Sequence, residues 1–181
     1  ITNTGRMAQT VTPTAAIPLY GRSADNIRDH RHVTSLLHRI ETTDTGVLVT
    51  PTLSFDERGH QVNHMTYYCV GWSGNGEKPV DFYPTAEDFV GEGGNFERPY
   101  AIVKNAEGVK AGTKIEGLEA VGGLHFSEIT LEPEEECSYL IFTGITEDIQ
   151  EIRNLSKTYT TREKVLEELE KTKAYWQEKV N

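Results

Sequence analysis

The densest run of polar side chains lies between residues 22 and 40 and holds four arginines, three histidines and two aspartates. If this run is a strand, His30 and His32 share one face at a spacing found in metal sites. His60 and His64 could add ligands from a neighbouring hairpin. The intervening arginines would repel a cation, and no cysteine or glutamate accompanies the histidines. The sequence therefore predicts no metal site and no cofactor.

A second interpretation of the same segment is ligand binding. Arginine and histidine donate hydrogen bonds to sugars and to anionic groups such as phosphate. On a strand, Arg28, His30 and His32 would share one face, and Asp29 and Arg31 the other. Three basic groups on one face need partners, so the segment is predicted to meet a ligand or an interface. A polar strand held by Arg–Asp pairs is an equal alternative.

Trp72 is the other candidate for ligand contact, because it lies in the glycine-rich loop 71–76. An exposed indole offers a flat apolar surface on which a sugar can stack. Half-buried packing is the commoner role of a tryptophan beside a loop. Arg28, His30, Arg31, His32 and Trp72 together form the predicted set of substrate-binding or interface residues.

No set of residues in the sequence resembles a complete catalytic centre. Ser35 and Ser138 have no G-x-S-x-G context, and the glycines at 91–94 and 122–123 lack the pattern of a phosphate-binding loop. No carboxylate is enclosed by apolar residues that would make it a catalytic acid. We therefore assign no catalytic residue to this chain.

Composition excludes several classes of partner. The formal net charge is −10 and no basic stripe is interleaved with aromatics, which argues against nucleic acid. The same acidity and the lack of an apolar run of about 20 residues argue against a membrane. Cys69 and Cys137 are predicted to be reduced, which weakly favours a reducing compartment, the cytoplasm.

Alternating apolar residues predict several strands. Residues 47–55 and 65–70 form a predicted hairpin around the turn at 56–59, and 137–145 is the most strand-like run. Further strands are predicted from Tyr100 to Val103 and over 124–131, the latter with a bulge at Ser127-Glu128. Thr85 to Asp88 is predicted to be a capped helical turn.

The apolar spacing becomes helical after residue 146. Thr146 is the predicted N-cap of a first helix, and a second is predicted from Thr160 with an apolar stripe made by Val165, Leu169, Trp176 and Val180. The predicted fold is mainly β: a large antiparallel β-sandwich over 1–145 followed by helices over 146–181.

The order of several motifs resembles the front domain of the cellobiose and chitobiose phosphorylase family. These inverting glycoside phosphorylases carry a large, supersandwich-like β domain, then linker helices and an (α/α)6 barrel. Glu134 stands where that family usually has glycine in a turn. The matching stretches are residues 23–26, 28–37, 86–94 with Arg98-Pro99, 129–136 and 166–176.

The resemblance implies the following organisation and function. The β domain over 1–145 is expected to be incomplete at its N-terminus, since the chain begins with Ile1, and 146–181 is expected to lead to a barrel outside this chain. That barrel would hold the catalytic acid and the phosphate-binding residues. The parent enzyme would cleave β-linked disaccharides with inorganic phosphate as co-substrate.

The expected partners follow from the same resemblance: carbohydrate, the helical barrel of the same protein and a second subunit in a homodimer. Loops of the β domain would wall the sugar cleft and support dimer contacts, with the face of Arg28, His30 and His32 near that cleft. Two alternatives remain open. One is a free-standing carbohydrate-binding or structural sandwich, and the other is the same domain in a glycoside hydrolase or a cyclic-glucan-processing protein.

Overall fold

The computed structural model describes residues 1–21, 31–56, 59–159 and 161–180, which contain twelve strands and five helices. The strands are β1 (Gln9–Val11), β2 (Thr14–Leu19), β3 (His38–Thr42), β4 (Gly46–Pro51), β5 (Leu53–Asp56), β6 (Gly59–Val62), β7 (Thr66–Ser73), β8 (Asp81–Thr85), β9 (Lys114–Glu116), β10 (Ala120–His125), β11 (Ile129–Leu131) and β12 (Tyr139–Thr146). The helices are α1 (Arg31–Ser35), α2 (Ala86–Val90), α3 (Tyr100–Lys104), α4 (Ile149–Thr158) and α5 (Arg162–Val180).

Two antiparallel sheets form the body of the domain. The larger has the strand order β12-β7-β4-β3-β9, and the smaller has the order β2-β10-β8. Their facing side chains make the main apolar core, since burial of apolar surface drives the sheets together. The predicted antiparallel sandwich is confirmed. The core contains Leu19, Ile40, Val47, Val49, Cys69, Phe82, Ala120, Leu124 and Phe126.

The larger sheet is covered on part of its outer face as well. Along β4, Val47 and Val49 face the main core, whereas Leu48 faces outward. Helix α4 lays Ile152 against Leu48 and Trp72 there, in a second buried cluster. The near-continuous apolar run of β4 is the expected sequence of a strand that is buried on both faces.

The predicted hairpin is confirmed, with one addition. Strand β4 pairs with β7 in a register that places Val47 opposite Cys69 and Val49 opposite Tyr67. Between them, β5 and β6 form a separate two-stranded ribbon. The predicted capped turn is also confirmed, because the Thr85 hydroxyl accepts a hydrogen bond of 3.1 Å from the Asp88 N–H at the start of α2.

The predicted strand over residues 100–103 is wrong, because these residues form helix α3. Only Ala101 is buried there, while Tyr100, Ile102 and Val103 are about half exposed. The run is therefore apolar without alternating between buried and exposed positions. Pro99 precedes the helix, a position that proline tolerates well. Asn105, at a φ of 47°, ends it in the left-handed conformation.

The predicted strand over 124–131 is also wrong, since it divides into two strands of different sheets. Strand β10 pairs with β2 and β8, whereas β11 pairs with β1. Between them, the Phe126 N–H donates to the Pro13 carbonyl at 3.0 Å. The change of side-chain phase at residues 127–128 therefore marks a transfer between sheets and not a bulge.

The two C-terminal helices follow β12 directly. Thr146 was predicted to be the N-cap of α4, but the N-cap is Asp148. The Thr146 hydroxyl instead closes the preceding turn, where it accepts a hydrogen bond of 2.9 Å from the Asp148 N–H. Helix α5 has no fully buried side chain within the described part of the chain, and its larger apolar residues are exposed, apart from the partly buried Val165. Thr160, the predicted start of that helix, lies outside the described residues. None of the described helices is long and apolar enough to cross a membrane.

Candidate functional site

The segment with the predicted ligand-binding arginines and histidines is described only in part. Arg28 and His30 lie outside the described residues. Arg31 and His32 lie in helix α1, so the predicted strand is wrong for this part of the segment. The last two residues of α1, Thr34 and Ser35, are both buried, whereas neighbouring residues of a strand point to opposite faces. The shared strand face proposed for His30 and His32 therefore does not apply at residue 32.

Trp72 is part of the interior and is not exposed for stacking on a sugar. It is 2% exposed, and its ring stacks on Phe142 at a centroid distance of 5.3 Å. Its indole N–H donates a 2.5 Å hydrogen bond to the carbonyl of Tyr159, at the end of α4. A buried indole needs such an acceptor. Trp72 therefore attaches α4 to the larger sheet, and its interpretation as a sugar-stacking surface is wrong.

The remaining residues of the metal hypothesis do not form a site in the described chain. His60, in β6, and His64, which follows it, are both exposed. Within residues 1–21, 31–56, 59–159 and 161–180, no group of three histidine, cysteine or acidic side chains is arranged to hold a metal ion. Cys69 and Cys137 are free thiols, as predicted. Burial raises the pKa of Cys69 to about 12, so this thiol stays protonated.

A cleft of about 370 Å³ is the strongest candidate for a ligand-contacting site among the described residues. It lies between helices α2 and α3 and the segment 106–109, whose Val109 pairs antiparallel with Phe82 of β8. Four carboxylates and two tyrosines surround it, so it can accept hydrogen bonds from the hydroxyl groups of a polyol. The residues that line it are Tyr83, Glu87, Asp88, Gly91, Glu92, Tyr100, Ala106, Glu107, Gly108 and Val109.

Close packing of the two short helices shapes one side of the cleft. Gly91 ends α2 at a φ of 78°, and a Cβ on it would lie 2.8 Å from the Tyr100 Cβ. Glycine is required here both for the positive φ and for the close approach of α3. Tyr83 and Phe89 meet beneath the helices with ring centroids 5.8 Å apart, beside the buried Ala101.

The opposite wall, residues 106–110, is held by a buried polar network. The Asp81 carboxylate lies 2.6 Å from Nδ1 of His125, and the Tyr83 hydroxyl donates to the Ala106 carbonyl at 2.5 Å. Burial, with the nearby Asp81 charge, raises the pKa of Tyr83 to about 12, so the phenol remains a donor. A Cβ on Gly108 would lie 2.5 Å from Oδ1 of Asp81, so the wall contacts the carboxylate directly.

Sequence reasoning missed this network. Asp81 and His125 are 44 positions apart, and nothing near either residue marks it as a partner of the other. The one local signal is Asp81 itself, an acidic residue at the start of the apolar run of β8, whose five residues are all buried. A buried carboxylate requires a partner, but sequence alone does not name it.

His38, the third histidine of the 22–40 segment, is buried at the start of β3 and is 2% exposed. Nδ1 lies 3.1 Å from the Leu118 carbonyl. Nε2 faces the Gly21 backbone but has no hydrogen bond of good geometry to any described residue. Burial lowers the pKa of His38 below 6.5, although the Leu118 and Gly21 backbone and the Glu119 charge partly oppose the shift. The histidine is therefore structural in this domain.

Stability is expected to fall as the pH drops below the ordinary histidine pKa of about 6.5. The folded state holds His38 neutral, so between the lowered folded pKa and the unfolded value only the unfolded chain takes up this proton. Urea denaturation should therefore show a lower midpoint concentration at pH 5.5 than at pH 7.5, and His38→Gln should reduce the difference between the two midpoints. Replacement of the exposed His64 by Gln is the matched control. An unchanged difference in His38→Gln, together with an unshifted His38 titration by NMR, would contradict this prediction.

Comparison with known families identifies the fold. A family model described as the glycosyl hydrolase 94 supersandwich domain matches residues 1–162, which covers both main sheets and helix α4. No curated protein sequence matches the chain significantly. The match spans most of the chain and agrees with its antiparallel sheets and C-terminal helices, so the chain belongs to the family of the glycosyl hydrolase 94 supersandwich domain.

Proposed function

We propose that this chain is the non-catalytic sandwich domain of an inverting phosphorylase that acts on β-linked disaccharides of the glucose or N-acetylglucosamine type. Family membership over residues 1–162 carries the proposal, because it makes the chain a domain of a carbohydrate-active enzyme. The step from carbohydrate-active enzyme to phosphorylase rests on the motifs shared with the cellobiose and chitobiose phosphorylases.

The proposed reaction needs groups that this chain does not supply. A phosphate oxygen attacks the anomeric carbon while the bond from that carbon to the leaving sugar oxygen breaks. A carboxylic acid of the barrel gives its proton to that oxygen, and the anomeric configuration is inverted. The sandwich domain contributes binding and positioning, through side chains that face the sugar cleft and the second subunit.

Two regions are assigned to these contacts. The first is the segment that holds Arg28, His30, Arg31 and His32, whose side chains can donate hydrogen bonds to hydroxyl groups or phosphate. The second is the cleft beside α2 and α3, whose carboxylates can accept hydrogen bonds from sugar hydroxyls. We place the enzyme in the cytoplasm, where Cys69 and Cys137 stay reduced.

The parent protein that contains this domain is expected to form a sugar 1-phosphate from cellobiose or N,N′-diacetylchitobiose only when inorganic phosphate is present. Inversion at a β-linkage predicts the α-anomer of the product, which NMR distinguishes directly. The isolated 181-residue chain should be inactive in the same assay. In the parent protein, His30→Ala or His32→Ala is expected to lower turnover or weaken assembly.

The assay separates the proposal from its alternatives. Release of free sugars at the same rate with and without phosphate would identify a hydrolase and contradict the phosphorylase assignment. Phosphate-dependent turnover by the isolated chain would contradict its assignment as non-catalytic. For the histidine variants, Gln61→Ala is a matched control, since residue 61 is polar and exposed on the β5–β6 ribbon. Full activity and normal assembly of both histidine variants would remove that segment from the proposal.

A further inference from the structure

The outer face of the larger sheet carries a groove beside helix α4. The helix covers outward-facing side chains of β4, β7 and β12. Strands β3 and β9 continue the sheet beyond the helix, and their outward side chains are exposed. The groove lies between the first turn of α4 and strand β9.

Two adjoining cavities form this groove, with volumes of about 240 Å³ and 310 Å³. Glu41, Leu48 and Ile149 line both of them, so these three residues mark its centre. Leu48 is almost buried in the floor, whereas Ile149 is 41% exposed at the side. Taken together, the two cavities are within the size range of small-molecule sites.

Side chains of four strands form a polar row across the groove. The register places Glu116 of β9 opposite Arg39 of β3, and Arg39 opposite Thr50 of β4. Thr50 lies beside Thr66 of β7, with their hydroxyl oxygens 3.2 Å apart. Neighbouring strands are about 4.8 Å apart, so the row is roughly 14 Å long. It is therefore longer than a single sugar ring.

A second row runs beside the first. Lys114 of β9 lies opposite Glu41 of β3, and Glu41 lies opposite Leu48 of β4. The Lys114 ammonium is 4.0 Å from the Glu41 carboxylate. The order of charge across β9 and β3 is thus the reverse of that in the first row. Donors and acceptors alternate along both strands of this face.

Arg39 is held in place before any ligand binds. Its Nε lies 3.3 Å from the Glu116 carboxylate, and its Nη1 donates to the His38 carbonyl at 3.0 Å. A guanidinium has more N–H donors than these contacts use. Its side chain is 44% exposed, so a ligand can reach the remaining donors. A side chain that is already ordered loses less entropy on binding.

The lining of the groove is electrically neutral, although the whole chain carries a formal charge of −10. A charged ligand would therefore gain little from it, whereas the hydroxyl groups of a neutral polyol can both donate and accept here. The cleft beside α2 and α3 differs, since its charged lining residues are all acidic. The charged residues of the groove are three basic and three acidic: Arg39, Lys114, Arg153, Glu41, Asp44 and Glu116.

We propose that this groove binds a neutral oligosaccharide, which lies along the polar row from Glu116 to Thr66. The sugar hydroxyl groups donate to carboxylates of the groove and accept from Arg39. The apolar face of a sugar ring contacts Ile149. The groove shares no lining residue with the cleft beside α2 and α3, so it is a separate carbohydrate site.

This inference rests on membership of a carbohydrate-active family and not on the phosphorylase assignment. Its test measures sugar binding by the 181-residue chain, whereas the phosphorylase assignment is tested by sugar phosphate formation in the parent protein. Binding in the groove is compatible with a hydrolase, and phosphorolysis is compatible with an empty groove. The two proposals can therefore fail separately.

Titration of the isotope-labelled 181-residue chain with cellohexaose and with chitohexaose, followed by NMR, tests the site directly. At least one hexasaccharide should shift the amide signals of residues 39, 41, 50, 66, 114 and 116. It should bind more tightly than its disaccharide, which covers only part of the row. Arg39→Ala should weaken binding by roughly tenfold, because a charge-assisted hydrogen bond is lost. Thr50→Val, which keeps the side-chain shape, should also weaken it.

Arg162→Ala is the matched control, since Arg162 forms an exposed pair with Glu136 at 3.0 Å outside the groove. It should leave binding unchanged, and an equal loss in this variant would overturn the proposal. Signal shifts confined to the cleft residues 83–92, or the absence of any shift, would also overturn it. An anionic oligogalacturonide of the same length should bind at least roughly tenfold more weakly. Equal binding of that ligand would contradict recognition of a neutral sugar.

Discussion

Replacement of Gly122 by alanine is expected to lower the free energy of unfolding by about 3 kcal/mol, because strands of the two main sheets are in close contact there. A Cβ on Gly122 would lie 2.2 Å from the Cys69 Cβ and 2.8 Å from its Sγ. Gly122 belongs to β10 and Cys69 to β7, so the added methyl group would separate strands of opposite sheets. Cys69 is completely buried and cannot move toward solvent. Urea denaturation monitored by tryptophan fluorescence measures the loss.

A double-mutant cycle attributes this loss to the contact between the sheets. Cys69→Gly removes the Cβ that the new methyl group would meet. In combination with Gly122→Ala it should cost at least about 1 kcal/mol less than the sum of the two single changes. Gly144→Ala is the control, since the added Cβ there meets the end of the Tyr68 side chain, which can move. Additive losses, or a Gly144→Ala variant as unstable as Gly122→Ala, would contradict this explanation.

The parts of the fold that sequence predicted correctly are those with local signals. Apolar and polar residues alternate around Val47 and Cys69, and this local pattern predicted the two strands of a hairpin. The change to helical spacing after β12 is a local pattern too, so it was also visible in the sequence. Tyr100 to Val103 was misassigned because a short apolar run without alternation fits a strand or a helix equally well.

Strand order within the sheets depends on contacts between distant segments, which no local pattern specifies. Strand β10 lies between β2 and β8, although about a hundred residues separate it from the first. One departure noted in the sequence does have a clear physical meaning. Glu134 occupies a turn where the related family usually has glycine, and its φ of 65° lies in the left-handed region that glycine favours.

The candidate site was less predictable than the fold. Trp72 lies beside a glycine-rich loop in the sequence, but its environment is set by α4, which begins 77 positions later. The buried pair of Asp81 and His125 combines two strands whose pairing sequence alone did not reveal. Side chains that bind a ligand and side chains that fill a core can be of the same type, and only burial distinguishes them.

Replacement of Asp81 by alanine is expected to lower the free energy of unfolding by about 3 kcal/mol, because it removes one partner of a buried hydrogen-bonded pair. The Asp81 side chain is 6% exposed and His125 is 14% exposed, so water replaces the lost interaction poorly. His125 would keep a ring nitrogen without its acceptor, and a cavity would remain where Gly108 contacts the carboxylate. The ammonium group of Lys110, 3.8 Å from the carboxylate, would lose its buried counter-charge.

The effect should be largest at the cleft wall formed by residues 106–110. The Val109 N–H donates to the Phe82 carbonyl at 2.8 Å, next to Asp81, so its hydrogen exchange should accelerate more than that of the β4 amides. Asp44→Ala is the matched control: its carboxylate is 65% exposed and pairs with Lys78 at the surface, where such a pair contributes about 0.5 kcal/mol. Combining Asp81→Ala with His125→Ala should cost less than the sum of the single changes, since each change removes the same interaction. If Asp81→Ala were as stable as Asp44→Ala, and Val109 exchanged at the unmodified rate, the buried pair would not be what holds this wall in place.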